Sequence, residues 1–255
     1  PALQVMRARV LKIVERTPPS PNPTAGHTTV KRSYTIAFTM RSGSNEICNL
    51  LARNGLGSPG EFFQTRLPAS PGLILDSFSR IVNRYQFEGV FGSKMSHEHR
   101  AALDEQLSSA IPQYTRIDDL LPDHRWVWLV RQDKILQAIS WCRAETSNRW
   151  AESSVQKGTG SVYDYDFHHI LSRVMMIYTA ELAWETYFRE HQIEPFKIVY
   201  ENFFRDLDHE LRKLVDYLGG LAPSRKSLDK GSTFAIQRNE HTYALRQRFV
   251  ADLSR

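Results

Sequence analysis

The chain has 255 residues, 41% of them apolar, and 33 Lys and Arg against 28 Asp and Glu, a formal net charge of +5. That length and apolar share can bury a sizeable core, and no run of eighteen apolar residues is present to cross a membrane. The modest positive excess favours an anionic partner without choosing between a nucleotide, a nucleic acid and a solvated surface.

Residues 1–30 read as an N-terminal extension and linker, ending in the Pro, Ser and Thr-rich stretch "TPPSPNPTAGHTT". The opening residues lack the long apolar centre of a signal peptide, so a soluble cytoplasmic chain is expected. Residues 31–255 read as one domain. Short apolar runs, "YTIAFTM", "GVFGSKM", "RWVWLVR" and "PFKIVYE", alternate with long helical patterns, which predicts an α/β fold with a mostly parallel sheet covered by helices. Between the third and fourth runs, Phe167, Ile170, Leu171, Val174, Ile177, Tyr178, Leu182 and Tyr187 recur at helical spacing and predict a crossover helix with a core face. Cys48 and Cys142 cannot build a disulfide framework and are expected as buried free thiols.

After the first strand comes "RSGSN", where Arg41, Ser42, Gly43, Ser44 and Asn45 crowd one turn before a helix. Successive backbone N–H groups in such a turn face a common centre, and the helix adds the positive end of its dipole, which makes an anion cradle. The Walker pattern G-x-x-x-x-G-K-[ST] is absent, which argues against an ordinary ATP or GTP site. In open α/β sheets ligands bind beyond the carboxyl ends of the strands, where the turn, Lys94 and Arg131 all fall. Three cations are therefore expected at one edge.

Four separated segments, "TMRSGSNEICNLLARNGLGSPGEFFQ", "GVFGSKM", "LVRQDKILQAISWCRAET" and "WETYFREHQIEPFKIVYENFFRDL", resemble the bacterial carbohydrate sulfotransferases of the trehalose 2-sulfotransferase family. The resemblance implies a three-layer, P-loop-like sulfotransferase fold. It also implies transfer of a sulfuryl group from 3′-phosphoadenosine 5′-phosphosulfate (PAPS) to a sugar hydroxyl. Arg41 to Asn45 would then hold the phosphosulfate, with Arg41 stabilising the leaving group. Asn45 departs from the Ser or Thr common there; its amide can donate to an oxygen, but with different geometry from a hydroxyl. Arg131 and Ser140 would grip the 3′-phosphate, Lys94 would touch the sulfate or the acceptor, and Arg238 would lie in a basic nucleotide-binding segment. Glu61 would be the general base, since a sugar hydroxyl must lose its proton as its oxygen bonds to sulfur.

Reach permits that last role. Nine helical residues, 46–54, carry the chain about 14 Å away, and six extended residues, 56–61, can return about 20 Å. On residue type alone Glu61 is a solvated loop glutamate, and His97 or His99 stands next in line as base. The histidines lack the spacing of a zinc site, and no metal is expected. Trp126 and Trp128 are expected in the core, while Trp150, Tyr163 and Tyr165 are candidates to line a sugar site.

Expected partners are thus a nucleotide donor and a sugar acceptor, with a homodimer implied by related enzymes and no stable membrane insertion. Trehalose, another glycolipid sugar, an oligosaccharide and a lipopolysaccharide unit all remain open as acceptors. Two rival functions are a nucleotide-dependent phosphotransferase and a non-catalytic module binding nucleic acid or another anionic polymer. The missing Walker lysine counts against the first, and dispersed basic residues against the second.

Overall fold

The computed structural model describes residues 30–68, 70–147, 163–221, 224, 226–231 and 240–255. The linker at 17–29, Trp150 and Arg238 lie outside them. The first strand, β1 (Arg32–Phe38), is followed by helix α1 (Ser44–Arg53), helix α2 (Pro71–Tyr85), strand β2 (Val90–Met95) and helix α3 (His97–Ala110). A short 3-10 turn at Ile117–Asp119 leads into β3 (His124–Val130), then α4 (Lys134–Ser147) and the long α5 (Phe167–Glu190). Strand β4 (Phe196–Val199) continues into α6 (Tyr200–Arg205), α7 (Leu207–Tyr217) and α8 (Glu240–Leu253). No described helix is long and apolar enough to cross a membrane.

The four strands are parallel, in the order β2-β1-β3-β4. All four expected apolar runs form them, with ends shifted by at most two residues. Alternation along β1 sends Tyr34, Ile36 and Phe38 to one face of the sheet, where they meet Ile47, Leu50 and Leu51 of α1 and Leu211 and Leu214 of α7. On the other face Trp126 packs with Phe78 of α2, Leu103 and Leu107 of α3, and Trp184 and Phe188 of α5. Helices thus cover both faces, as a parallel sheet requires.

A third core lies apart from the sheet. Ile139 and Cys142 of α4, Ile170 and Ile177 of α5, and Leu245 and Phe249 of α8 bury one another in a helical annex. Asp133 Oδ1 accepts from the Leu136 N–H at the head of α4, and Asp166 Oδ1 accepts from the His169 N–H at the head of α5. These side chains satisfy amides that have no partner within their own helices.

The crossover helix needs one correction. Ile170, Ile177 and Tyr187 are buried as expected, but Tyr178 and Leu182 are 54% and 61% exposed. They lie on a flank turned away from the Ile177 side that packs on α4, a distinction that a wide apolar stripe does not carry. Trp126 is buried, whereas Trp128 is half-buried with the Lys197 ammonium 4.3 Å from its ring centre. Cys48 and Cys142 are buried free thiols. Burial pushes them up to about 12 and about 11, so neither is poised as a thiolate nucleophile.

Candidate active site

The strand order reverses between β1 and β3, because β1 connects outward to β2 and the chain then returns to the far side of β1. The carboxyl ends of those two strands form the crevice where open α/β sheets bind ligands. The turn 41–45 leaves the end of β1, and Arg131 directly follows β3.

Two residues of that turn adopt left-handed backbone, Arg41 at φ 61° and Gly43 at φ 96°. A Cβ on Gly43 would overlap the Tyr200 ring, which closes over the turn from the end of β4. Ser42 is fully buried, and its Oγ has no hydrogen-bond partner among the described residues. A left-handed bend of this kind lets neighbouring N–H groups converge, and α1 begins at Ser44 with its free N–H groups on the same side. Gln137 fixes the start of the turn by donating to Thr39 Oγ1 at 2.8 Å and to the Met40 carbonyl at 2.7 Å.

Arg41, Arg131 and Ser140 come together. Arg131 Nη1 donates to the Arg41 carbonyl at 3.1 Å, and Arg41 Nε donates to Ser140 Oγ at 3.0 Å. Arg131 is 8% exposed, with its guanidinium 5.4 Å from the centre of the Tyr200 ring and 3.5 Å from Glu201 Oε1. Burial pushes the Glu201 carboxyl up, but the Gln132 N–H, its own backbone N–H and Arg131 outweigh that and hold it below the usual range. This half of the site carries two guanidinium groups, a hydroxyl and one compensating carboxylate.

The other half centres on Lys94, which is 7% exposed at the end of β2. Its Nζ lies 2.7 Å from Glu61 Oε1 and donates to Asn45 Oδ1 at 2.6 Å and Ser44 Oγ at 3.4 Å. Glu61 reaches this position because Gly60 forms a parallel bridge with Ser93, and the Lys94 N–H donates to the Gly60 carbonyl at 2.9 Å. Gly57, at φ 76°, makes the preceding turn beside the backbone of β2.

The stretch "EFFQ" is anchored by its middle. Phe62 stacks on Tyr85 and Phe63 on Phe78, while Glu61 and Gln64 meet, Gln64 Nε2 donating to Glu61 Oε2.

The structure thus assembles Arg41, Ser42, Gly43, Ser44, Asn45, Glu61, Lys94, Arg131 and Ser140 at one edge. His97, also near this edge, has its Nε2 3.1 Å from Arg100 Nη2, a donor that leaves the ring nitrogen as acceptor. Burial and then Arg100 pull its pKa down. Sequence reading passed over Tyr200, Glu201, Gln64 and Gln137. The first two were visible as the residues that follow the fourth strand, but only the pairing of β4 with β3 puts them over the turn. No group of His, Cys, Asp and Glu among the described residues is placed to hold a metal. Tyr163 and Tyr165 line a cleft with Phe167, His169 and Arg248 on the annex, and no residue of the turn lines it.

Such an edge can hold a dianionic group at each of two places, with Glu201 beside one and Glu61 beside the other. Residues 78–249 match the family model described as Stf0 sulphotransferase. The chain belongs to the Stf0 sulphotransferase family. The matched segment includes Lys94, Arg131 and Ser140 and begins after the turn and Glu61.

Two solved structures are similar. The sulfotransferase domain of the Synechococcus PCC 7002 olefin synthase is 14% identical over 89% of this chain and 98% of its own, with a TM-score of 0.47. The sulfotransferase domain from the curacin biosynthetic pathway is 13% identical over 89% of this chain and 99% of its own, with a TM-score of 0.41. No curated protein matches the chain. The family makes the protein a transferase of sulfuryl groups.

Proposed function

We propose that this sulfotransferase takes the sulfuryl group of PAPS and transfers it to a carbohydrate hydroxyl, trehalose or another glycolipid or polysaccharide sugar. The observation that carries the reading is the pairing of two cationic places at one sheet edge. The turn 41–45 would take the 5′-phosphosulfate, and Arg131 with Ser140 would take the 3′-phosphate that separates this donor from ordinary adenosine nucleotides. A planar guanidinium suits that phosphate because it can donate two parallel hydrogen bonds.

In the reaction the acceptor oxygen bonds to sulfur as the bond from sulfur to the bridging phosphate oxygen breaks. Negative charge grows on the departing 5′-phosphate, next to Arg41, the turn N–H groups and the head of α1. Fixed donors aimed at developing charge lower a barrier without having to reorganise. The hydroxyl proton passes to Glu61, and the products are a sulfate ester and 3′,5′-bisphosphoadenosine. Arg238, in the basic stretch before α8, is a further candidate to hold the nucleotide.

The test is incubation with PAPS carrying a sulfur isotope label and a panel of sugars and glycolipids, followed by mass analysis of each. Label on a sugar is the expected result. Phosphate transfer from ATP to the same panel, with no sulfur transfer, would replace the reading with a phosphotransferase.

A further inference from the structure

The Lys94 ammonium is engaged by the protein's own side chains. It bridges Glu61 Oε1 at 2.7 Å and Asn45 Oδ1 at 2.6 Å, and it lies 5.0 Å from the centre of the Phe38 ring. The other oxygen of Glu61 accepts from Gln64. Both carboxylate oxygens therefore already accept from a neighbour, and the ammonium shares Oε1 with any acceptor hydroxyl that approaches it. An anion seated in the turn lies beside Ser44 and Asn45, and so beside the ammonium that Glu61 holds. Donor and spent product differ at this end only in the sulfo group.

We propose that Glu61 and the donor's sulfo group compete for Lys94, so that this ion pair sets how well the site tells donor from spent product. The proposal rests on the PAPS reading above. When the sulfo group draws the ammonium away, Glu61 Oε1 is released toward the acceptor, while Gln64 and the stacked Phe62 and Phe63 keep the carboxylate in place. Once the sulfo group has left and Glu61 has given its proton to solvent, the ammonium returns to the carboxylate. The bisphosphate then loses a contact that the donor had. The pair thus couples base release to donor capture and favours product departure.

Calorimetric titration tests this without an acceptor, using PAPS and 3′,5′-bisphosphoadenosine on the parent, Glu61→Gln, Lys94→Met and the double variant. Removing the competing carboxylate should tighten PAPS about 3–10-fold and leave the bisphosphate within about 2-fold, the scale of one charge-assisted contact. Lys94→Met should weaken PAPS by about 10-fold and spare the bisphosphate. In the double variant the gain from Glu61→Gln should vanish, because residues acting through one contact are not additive.

PAPS affinity that is unchanged or weaker in Glu61→Gln overturns the proposal. A gain that survives without Lys94 also overturns it, since the carboxylate would then merely repel the sulfo group. Failure of the parent to bind either nucleotide removes the donor reading itself, whereas binding of both with no response to Glu61→Gln removes only the exchange. Bisphosphate binding also reports folding, and Lys94→Gln takes the place of Lys94→Met if the latter loses it.

Discussion

Arg131, the residue after β3, donates a 3.1 Å hydrogen bond to the backbone carbonyl of Arg41, in the turn after β1. One guanidinium therefore joins the two strand ends at which the topology reverses, and it carries donors besides Nη1, of which Nε lies 3.5 Å from Glu201 Oε1. If those donors read a 3′-phosphate, 3′,5′-bisphosphoadenosine should bind at least about 10-fold tighter than AMP, the scale of a charge-assisted bidentate contact. Arg131→Lys keeps the charge but loses the fork and should narrow that gap. Calorimetry reads both, and equal affinities for the two nucleotides would remove the 3′-phosphate assignment.

Arg41 contributes charge at an energetic cost, because its left-handed backbone is unfavourable for a residue with a Cβ by about 1–2 kcal/mol. Arg41→Ala should slow transfer more than it weakens nucleotide binding, since the charge facing it grows during the reaction. Arg41→Gly should lose the same activity yet melt above Arg41→Ala, as glycine accepts the turn's φ. Normal turnover in Arg41→Ala would contradict the first expectation, and a lower melting temperature for Arg41→Gly the second.

Gly43 meets both limits at once, a φ of 96° and the Tyr200 ring where a Cβ would stand. Gly43→Ala must displace the ring or flatten the turn, at a cost of roughly 2–3 kcal/mol. Nucleotide affinity should fall with it. Trimming Tyr200 to Ala in the same chain should restore only part of the loss, because the backbone strain remains. Full restoration would show that overlap alone matters; thermal melting and calorimetry measure both effects.

Away from the site, Asp104 of α3 sits 2.5 Å from Arg100, with Asp118 and Arg116 facing it from the 3-10 turn and Tyr187 from α5. Burial pushes its carboxyl from the usual 3.8 up to about 6, against the pull of Arg100. The folded chain therefore holds an extra proton between those values. Asp104's contribution to stability is full below the lower value and is lost as pH rises through the upper one. Buried His124 works in the opposite sense. Burial, aided by Arg116, pulls it from 6.5 down to about 3, so its contribution is present above the upper value and lost on acidification. In the parent the two slopes oppose. Asp104→Asn removes one of them and should lose about 1 kcal/mol more per pH unit than the parent between about pH 6 and about pH 4. Urea midpoints across that range test this, and parallel curves would contradict it.

The four strands were legible as short, mostly apolar runs such as "RWVWLV" and "YTIAF", because a parallel sheet covered by helices on both faces buries most of its side chains. The turn was legible for a different reason: small residues crowded after a strand and before a helix leave few other uses for the segment. What sequence did not carry was the partnership of remote residues. That Glu61 meets Lys94 depends on the bridge of Gly60 with Ser93, and that Tyr200 covers Gly43 depends on the pairing of β3 with β4. Exposure of Tyr178 and Leu182 likewise followed from where α4 lies, which no spacing along α5 reports.

If Glu61 takes the acceptor's proton during sulfuryl transfer, single-turnover transfer of labelled sulfuryl group by the parent and by Glu61→Gln should differ sharply. The variant keeps the side chain's size and removes its basicity. Its rate should fall about 10²–10⁴-fold, the usual contribution of a positioned base. Its affinity for 3′,5′-bisphosphoadenosine should stay near that of the parent. Transfer by Glu61→Gln at the parent's rate would contradict the account and move the search for the base to His97 and His99.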